Sequence, residues 1–164
     1  MMNKYRMLND QVVEALLAQS RRAERKRAHL NLHQSHHDPV QRFLIAMQPD
    51  SYVCPHYHSE PDKWELFTVI RGAFSFFIFD DDGTICERLE LSAGHSNFSL
   101  ELASGQWHSV IALQTNSVFF EVKRGPYCAS RDKLFAPWAP KEADENVGQY
   151  HRWLLAAKPG ERFS

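Results

Sequence analysis

Short runs of apolar residues separated by turn residues fill the middle of the chain, from position 41 to position 123. The runs are rich in aromatic and β-branched side chains, a composition that is typical of β-strands. The pattern predicts eight strands, at residues 41–47, 51–54, 64–71, 73–80, 84–91, 98–102, 108–113 and 117–123. Short strands at this spacing favour an all-β barrel or sandwich, and eight of them suit a jelly roll. Asp82-Gly83, between two of the runs, predicts a hairpin with a type I′ turn or a close relative of it.

The two ends of the chain show other patterns. Apolar residues at helical spacing follow Asn9 and Asp10, either of which could cap an N-terminal helix. Toward the C-terminus, prolines and aromatic residues predict an extended tail along the barrel, and a short helix is expected at 147–157. One domain is expected, with a helical arm at 1–37, a β-barrel at 38–126 and a C-terminal tail at 127–164.

Composition narrows the possible partners. The formal net charge of the 164 residues is −1, so the chain offers no overall field for nucleic acid or for an anionic membrane. The basic residues between positions 21 and 27 are interpreted as a solvated helix end. No apolar stretch approaches the roughly 20 residues of a membrane span, and the N-terminus lacks the apolar region of a signal peptide. Three scattered cysteines fit free thiols, so we expect a cytoplasmic protein.

Four residues form the pattern of a mononuclear metal site: His56, His58, Glu65 and His108. Residues two apart on a strand project from the same face, so the first two histidines can reach one ion together. The loop at 59–63 reverses the chain, and antiparallel pairing is expected to return Glu65 beside them, while His108 would come from a third strand. This donor set suits one divalent transition metal (zinc, iron, nickel or manganese) and leaves coordination positions open. In the alternative interpretation, the histidines hold a polar core without a metal.

Strand alternation also identifies candidates for substrate binding and catalysis. If the metal-ligating glutamate faces inward, Arg71 shares its face and could bind an anion or a sugar hydroxyl. Glu121 and Lys123 lie on one face of the last strand, where they would form an acid–base pair if inward and a surface salt bridge if outward. Trp107 and Tyr127 could stack on a sugar ring or pack in the core.

Two segments resemble the motifs of the cupin superfamily. The segment at 56–72 resembles the first cupin motif, and the segment at 103–108 resembles the second, with Ala103 in place of the usual proline. The loop within the first motif is longer than is common, and Ala112 stands where an asparagine is frequent. The resemblance implies a cupin jelly-roll barrel that binds a metal through its three histidines and one glutamate.

A narrower resemblance covers almost the whole chain. The segments at 25–33, 38–58, 119–127 and 135–142 are similar to the WbuC family of cupin-fold metalloproteins. Members are bacterial and are often encoded among genes for O-antigen or other surface polysaccharides, and the family does not supply an established reaction. The resemblance implies a metal-binding cupin that acts on or binds a small polar molecule, such as a sugar or a sugar nucleotide.

Several functions remain open at this point. An isomerase- or epimerase-like enzyme, an iron-dependent dioxygenase and a non-catalytic module that senses a sugar or a metal all fit the donor set. The apolar, aromatic-rich strand at 73–79 predicts a homodimer, because such a sheet often needs a partner surface.

Overall fold

The computed structural model describes residues 4–164 of the chain. Its helices are α1 (Asp10–Arg22) and α2 (Val147–Ala156). The strands of the described residues are, in chain order, β1 (Arg27–Asn31), β2 (Val40–Met47), β3 (His56–Tyr57), β4 (Glu65–Arg71), β5 (Ala73–Phe79), β6 (Ile85–Ser92), β7 (Ser99–Leu102), β8 (Trp107–Ala112), β9 (Ser117–Arg124) and β10 (Leu134–Phe135). Asn9 caps α1, since its side-chain Oδ1 accepts a hydrogen bond from the Val12 amide at 3.2 Å.

Two five-stranded sheets face each other and form a barrel. Sheet I has the strand order β1-β2-β9-β4-β7, and sheet II has the order β10-β3-β8-β5-β6. Every paired neighbour is antiparallel, and most neighbours come from distant parts of the sequence, as they do in a jelly roll. The predicted all-β jelly-roll barrel, with a helix before it and a short helix after it, is confirmed.

An apolar core fills the space between the sheets, and each helix covers an outer face. Inward residues of both sheets build the core, among them Phe67, Phe76 and Phe119. Helix α1 packs Leu17 on the outer face of β2 and β9, and α2 packs Leu154 on the outer face of β5 and β6. Burial of these two stripes supplies most of the stability of each helix, because short helices are marginal on their own.

The structure differs from the predicted strands mainly at the edges. Strand β1 lies within the segment predicted as a helical arm, and β10 lies within the predicted tail. Both are edge strands whose side chains are largely exposed or half-buried, so the sequence shows no clear alternation there. The strand predicted at 51–54 is irregular, and only His56–Tyr57 pairs in this region.

The predicted hairpin at Asp82-Gly83 joins β5 and β6, but its turn is not of type I′. That type needs a positive φ at both central residues, whereas only Gly83, at 89°, has one here. The Asp80 carboxylate instead accepts hydrogen bonds from the amides of Asp82 and Thr84, at 3.2 and 3.0 Å. A Cβ at Gly83 would also lie 2.7 Å from the Trp138 ring, so glycine is required on two grounds.

The aromatic strand β5 is covered within the same chain. Its inward side chains enter the core, and the outward Phe77 and Phe79 pack under α2 and the tail. The homodimer stays a prediction, but the argument for it from an uncovered aromatic sheet no longer holds. No helix among residues 4–164 has the length and apolar character that crossing a membrane requires.

Candidate metal centre and its cavity

Three buried histidines converge from adjacent strands of sheet II. His56 lies in β3 directly opposite His108 in β8, and His58 follows β3 by one residue. Tyr57 between them points the other way, as strand alternation requires. One ligand atom from each histidine lies within 4.8 Å of those of the other two, a spacing at which a single ion can contact all three.

Glu65 faces the histidines from the opposite sheet. Strand β4 belongs to sheet I, where Glu65 pairs with Leu102 and Lys123, so the expected return by antiparallel pairing beside the histidine strand is wrong. The side chain reaches the cluster across the barrel interior instead. Its Oε1 lies 3.0 Å from His58 Nε2, and its Oε2 lies 3.1 Å from His108 Nε2. The four predicted ligands therefore come together, although by a different route.

Backbone carbonyls orient all three imidazole rings. His56 Nδ1 lies 2.9 Å from the Cys54 carbonyl oxygen, and His108 Nδ1 lies 2.8 Å from that of Gln106. His58 Nδ1 contacts the carbonyl of Asp132. A carbonyl only accepts, so each Nδ1 carries a proton, and Nε2 is the ring atom that a metal would bind. The buried His58 Nε2 makes no properly angled hydrogen bond despite its short distance to Glu65. These four donors fit a divalent transition metal.

Burial and nearby charges shift the pKa values of two of the four candidate donors, His56 and Glu65. Burial, followed by the charges of Lys133 and His108, lowers the pKa of His56 well below its usual value, so this ring is neutral at neutral pH. Burial alone would raise the pKa of Glu65. Contacts with His108 and His58 outweigh it and hold that pKa well below the ordinary range. Neutral imidazoles and an ionised carboxylate are the forms that bind a metal.

Asp132, which sequence reasoning missed, ties the metal centre to two lysines. Its buried carboxylate lies 2.8 Å from Lys123 Nζ and 3.2 Å from Lys63 Nζ, while its carbonyl orients His58. Burial by itself raises the pKa of Asp132, but Lys123 and the other neighbours lower it overall, so the group is ionised. The residue lies in an irregular segment with no motif spacing, and the sequence gives no signal for its position.

A cavity of about 350 Å³ opens over the metal centre. Glu121 and Lys123 both face into it from β9, which answers the question of their orientation in favour of the inward arrangement. Burial and the charge of Glu65 raise the pKa of Glu121, with Lys123 acting in the opposite direction. The Lys123 ammonium also lies 5.7 Å from the ring centre of Tyr127, which lines the cavity. Substrate binding by Tyr127 stays a prediction.

Two predicted substrate-binding residues lie elsewhere. A β-bulge between Val69 and Arg71 reverses the alternation of β4, so Arg71 points outward and binds Glu14 of α1. The prediction of an inward Arg71 is therefore wrong. Trp107 directly precedes an inward histidine and so points to the outer face, where its Nε1 donates to Asp81 at 3.1 Å. Its ring packs against Tyr57 and does not line the cavity.

The rim of the cavity includes part of the basic segment that was interpreted as a solvated helix end. Arg25 and Arg27 both line the cavity and share Glu142, with nitrogen–oxygen distances of 2.5 Å. The Arg27 side chain is only 7% exposed, so the interpretation is wrong for this residue. Lys133 lines the wall as well.

The two facing antiparallel sheets and the buried histidine cluster define a jelly-roll protein with a centre compatible with a divalent metal. The family model described as a domain of unknown function, DUF6016, matches residues 8–91, just over half of the chain, and the chain belongs to that family. No curated protein sequence matches this chain.

Several solved structures are similar to this chain at low sequence identity. A conserved protein of unknown function from Streptococcus pyogenes has a TM-score of 0.51 at 11% identity, over 77% of this chain and 93% of that one. KdgF from Halomonas sp. has a TM-score of 0.49 at 17% identity, over 63% and 83% of the two chains. A cupin superfamily protein from Desulfitobacterium hafniense has a TM-score of 0.46 at 15% identity, over 60% and 76%. At 11% identity the similarity to the Streptococcus pyogenes protein concerns the fold alone.

Proposed function

We propose that this chain is a metal-dependent cupin of the WbuC type. In this proposal it works in the cytoplasm on a small polar, sugar-related molecule in bacterial surface polysaccharide metabolism. The observation that carries the proposal is the convergence of three buried histidine rings and the Glu65 carboxylate, with His56, His108 and Glu65 lining a cavity. Three of these donors are oriented through a second hydrogen bond, as is usual for metal-binding histidines.

The cavity volume limits the size of the ligand. Ligand pockets usually measure about 300–1,000 Å³, and the 350 Å³ here lies at the lower end of that range. A monosaccharide or a smaller molecule suits this space. If the ligand is a sugar nucleotide, the sugar enters the cavity and the nucleotide lies outside it.

Proton transfer is assigned to the polar residues of β9. A metal held by the four donors would supply Lewis-acid polarisation of a substrate oxygen. Glu121 faces the same space, makes no hydrogen bond or ion pair within the described part of the chain, and has a raised pKa, so we assign it as the acid–base residue. The ion pair with Asp132 holds the Lys123 ammonium in place, so that its positive charge lies on the same face of β9 as Glu121.

Elemental analysis of the purified protein tests the metal centre. We expect about one divalent transition metal per chain, and loss of that metal in the His56→Ala, His108→Ala double variant. The matched control is a double variant of two exposed histidines, His37→Ala with His95→Ala, which should keep its metal. A wild type that stays metal-free after reconstitution would contradict the proposal. The identity of the metal also tests the dioxygenase alternative, which requires iron.

Glu121→Gln separates an enzyme from a binding module. The variant should keep its metal and its ligand affinity but lose turnover by about 100-fold or more, because a general acid–base group typically contributes about 10²–10⁴-fold. Glu101→Gln, an exposed change on β7, is the control and should leave turnover unchanged. Turnover that survives in Glu121→Gln would remove the assigned proton carrier. Ligand binding without any turnover in the wild type would favour the sensing module.

A further inference from the structure

Lys133 is a cavity-lining cation without an ion-pair partner. It is half-buried, lines the cavity and makes no side-chain hydrogen bond or ion pair within residues 4–164. The other cavity cations differ, because Arg25 and Arg27 share Glu142 and Lys123 is paired with Asp132. A charged amine that reaches into a cavity without a partner is in place to bind a ligand group.

The backbone on both sides of Lys133 is held in place. On one side, Asp132 is fixed by two lysines and by its contact with His58. On the other side, β10 pairs with β3, so that Phe135 lies opposite His56. The side chain therefore projects from a fixed segment directly beside the metal centre, and its charge acts on His56, Glu65 and Glu121.

Metal loading changes what this ammonium faces. Without a metal, the negative charge of Glu65 partly neutralises the positive charge of Lys133. A bound dication would be coordinated by the same carboxylate, whose charge would then be used to neutralise the metal. Lys133 and the cation then face each other across a partly desolvated cavity, where two positive charges repel. Burial and Lys123 already lower the pKa of Lys133, with the surrounding carboxylates acting the other way. An anionic group placed between the ammonium and the metal would be attracted by both.

We propose that the ligand is an acid, and that Lys133 and the metal together bind its carboxylate or phosphate group. This inference rests on the proposed function, because it requires a metal at the four-ligand site. It narrows a general polar ligand to an anionic one and assigns Lys133 as the residue that determines this specificity. Carboxylate and phosphate share the chemistry that Lys133 recognises, and the probes below distinguish them.

Calorimetric titration of the Zn²⁺-loaded protein tests the inference. The probes are glucose, glucuronate and glucose 6-phosphate, which share a ring and differ in whether they carry a carboxylate or a phosphate. We expect at least one acid to bind about tenfold or more tightly than glucose, because a hydrogen bond to a charged group is worth roughly a factor of ten in affinity or more. The preference should shrink as salt is added. Whichever acid binds more tightly identifies the group that is recognised.

Variants assign the preference to Lys133. Lys133→Met should reduce the affinity for the acid about tenfold without changing that for glucose, and Lys133→Arg should retain most of the preference because it keeps the charge. Lys158→Met, which removes an exposed lysine outside the cavity, is the matched control and should behave as wild type. Near-ultraviolet circular dichroism and zinc content confirm that each variant is folded and loaded.

The possible failures are distinguishable. Zinc-loaded wild type that binds neither acid more tightly than glucose overturns the inference and leaves the metal centre intact. The same holds if Lys133→Met keeps the full preference for the acid. A wild type that binds no metal overturns the proposed function, and the inference falls with it.

Discussion

The two ends of the barrel are built from the same strands but have opposite character. Along β9 the inward residues change from Phe119 to Glu121 and Lys123, and along β4 they change from Phe67 to Glu65. The closed end is filled with aromatic and aliphatic side chains. The open end carries histidines, carboxylates and ammonium groups around a cavity. A difference of two residues along one strand thus separates the core from the candidate site.

This difference shows which residues serve stability. Burial of apolar area stabilises the closed end by about 25 cal/mol per Å². Burial of charged groups costs free energy, and even paired charges often contribute less than apolar residues of similar volume would. Four charged residues line the cavity at the open end: Glu65, Glu121, Lys123 and Lys133. A contribution to stability therefore explains their presence poorly. Binding and chemistry are the explanation that fits them.

Truncation at the closed end should have the largest effect on stability. Phe76 is fully buried in contact with Phe67 and Phe119. Phe76→Ala should lower the free energy of unfolding by about 4 kcal/mol, since it removes apolar burial and leaves a cavity. Urea denaturation measures this change. The variant should still bind metal wherever it is folded, and Phe98→Ala, at a 50% exposed phenylalanine, should cost less than about 1 kcal/mol. Equal losses at the two positions would contradict the assignment of the core.

Asp132→Asn tests the polar support of the open end. The change leaves Lys63 and Lys123 buried beside a neutral amide, and we expect a loss of about 3 kcal/mol in the free energy of unfolding. Metal affinity should fall about 10- to 100-fold, because the lost carboxylate lies 3.7 Å from Nδ1 of the candidate ligand His58, and residues that support metal ligands have effects of that size. Competition with a metal chelator measures the affinity. Asp62→Asn, at an exposed ion pair with Arg124, should change neither quantity appreciably.

Sequence reasoning found the parts of the site that follow strand periodicity. The apolar runs located most strands, and the spacing of His56, His58, Glu65 and His108 identified four side chains that converge as candidate metal donors. Alternation failed for Arg71 because a bulge, which leaves no clear mark in the sequence, reversed the faces of β4. Strand β4 was located correctly but assigned to the wrong sheet, because strand periodicity does not show which strands pair.

The residues that were missed lie outside regular structure. Asp132 is buried beside the candidate site and Lys133 lines the cavity, both from an irregular segment, and Glu142 reaches the cavity rim from a loop of the tail. None of these three positions follows from a periodic pattern, since each depends on how a long connection packs on the barrel. Such a loop becomes predictable only after the barrel beneath it is known.

Replacing one inward charge by an apolar residue should have a small effect of the opposite sign. Glu121 is buried without a hydrogen bond or ion pair among the described residues, so Glu121→Leu should raise the free energy of unfolding by up to about 1 kcal/mol. Chemical denaturation of the metal-free protein gives the value. The control Glu101→Leu, at an exposed position, should stay within about 0.5 kcal/mol of wild type. A clear loss of stability in Glu121→Leu would mean that the carboxylate is structural.

At neutral pH the smallest effect is expected for a histidine outside both ends of the barrel. His151 of α2 is buried, and its Nε2 has no hydrogen-bond partner within the described part of the chain. Burial lowers its pKa, with Asp50 acting against this and Arg152 adding to it. In the unfolded chain His151 is therefore protonated as the pH falls through about 6.5, whereas in the folded protein it stays neutral to a lower pH. The free energy of unfolding falls as the pH drops below that value.

His151→Gln should make this loss of stability less steep. Between pH 6.5 and pH 5 the slope of the unfolding free energy should decrease by up to about 1.4 kcal/mol per pH unit, while stability above pH 7 changes little through this group. Urea denaturation of the metal-free protein at several pH values measures the slope, and His95→Gln, at an exposed histidine, should leave it unchanged. An unaltered slope in His151→Gln would show that His151 titrates alike in both states. The slope that remains in His151→Gln contains the contribution of His56 at the open end. The lowered pKa of His56 also makes the folded protein less stable as the pH falls.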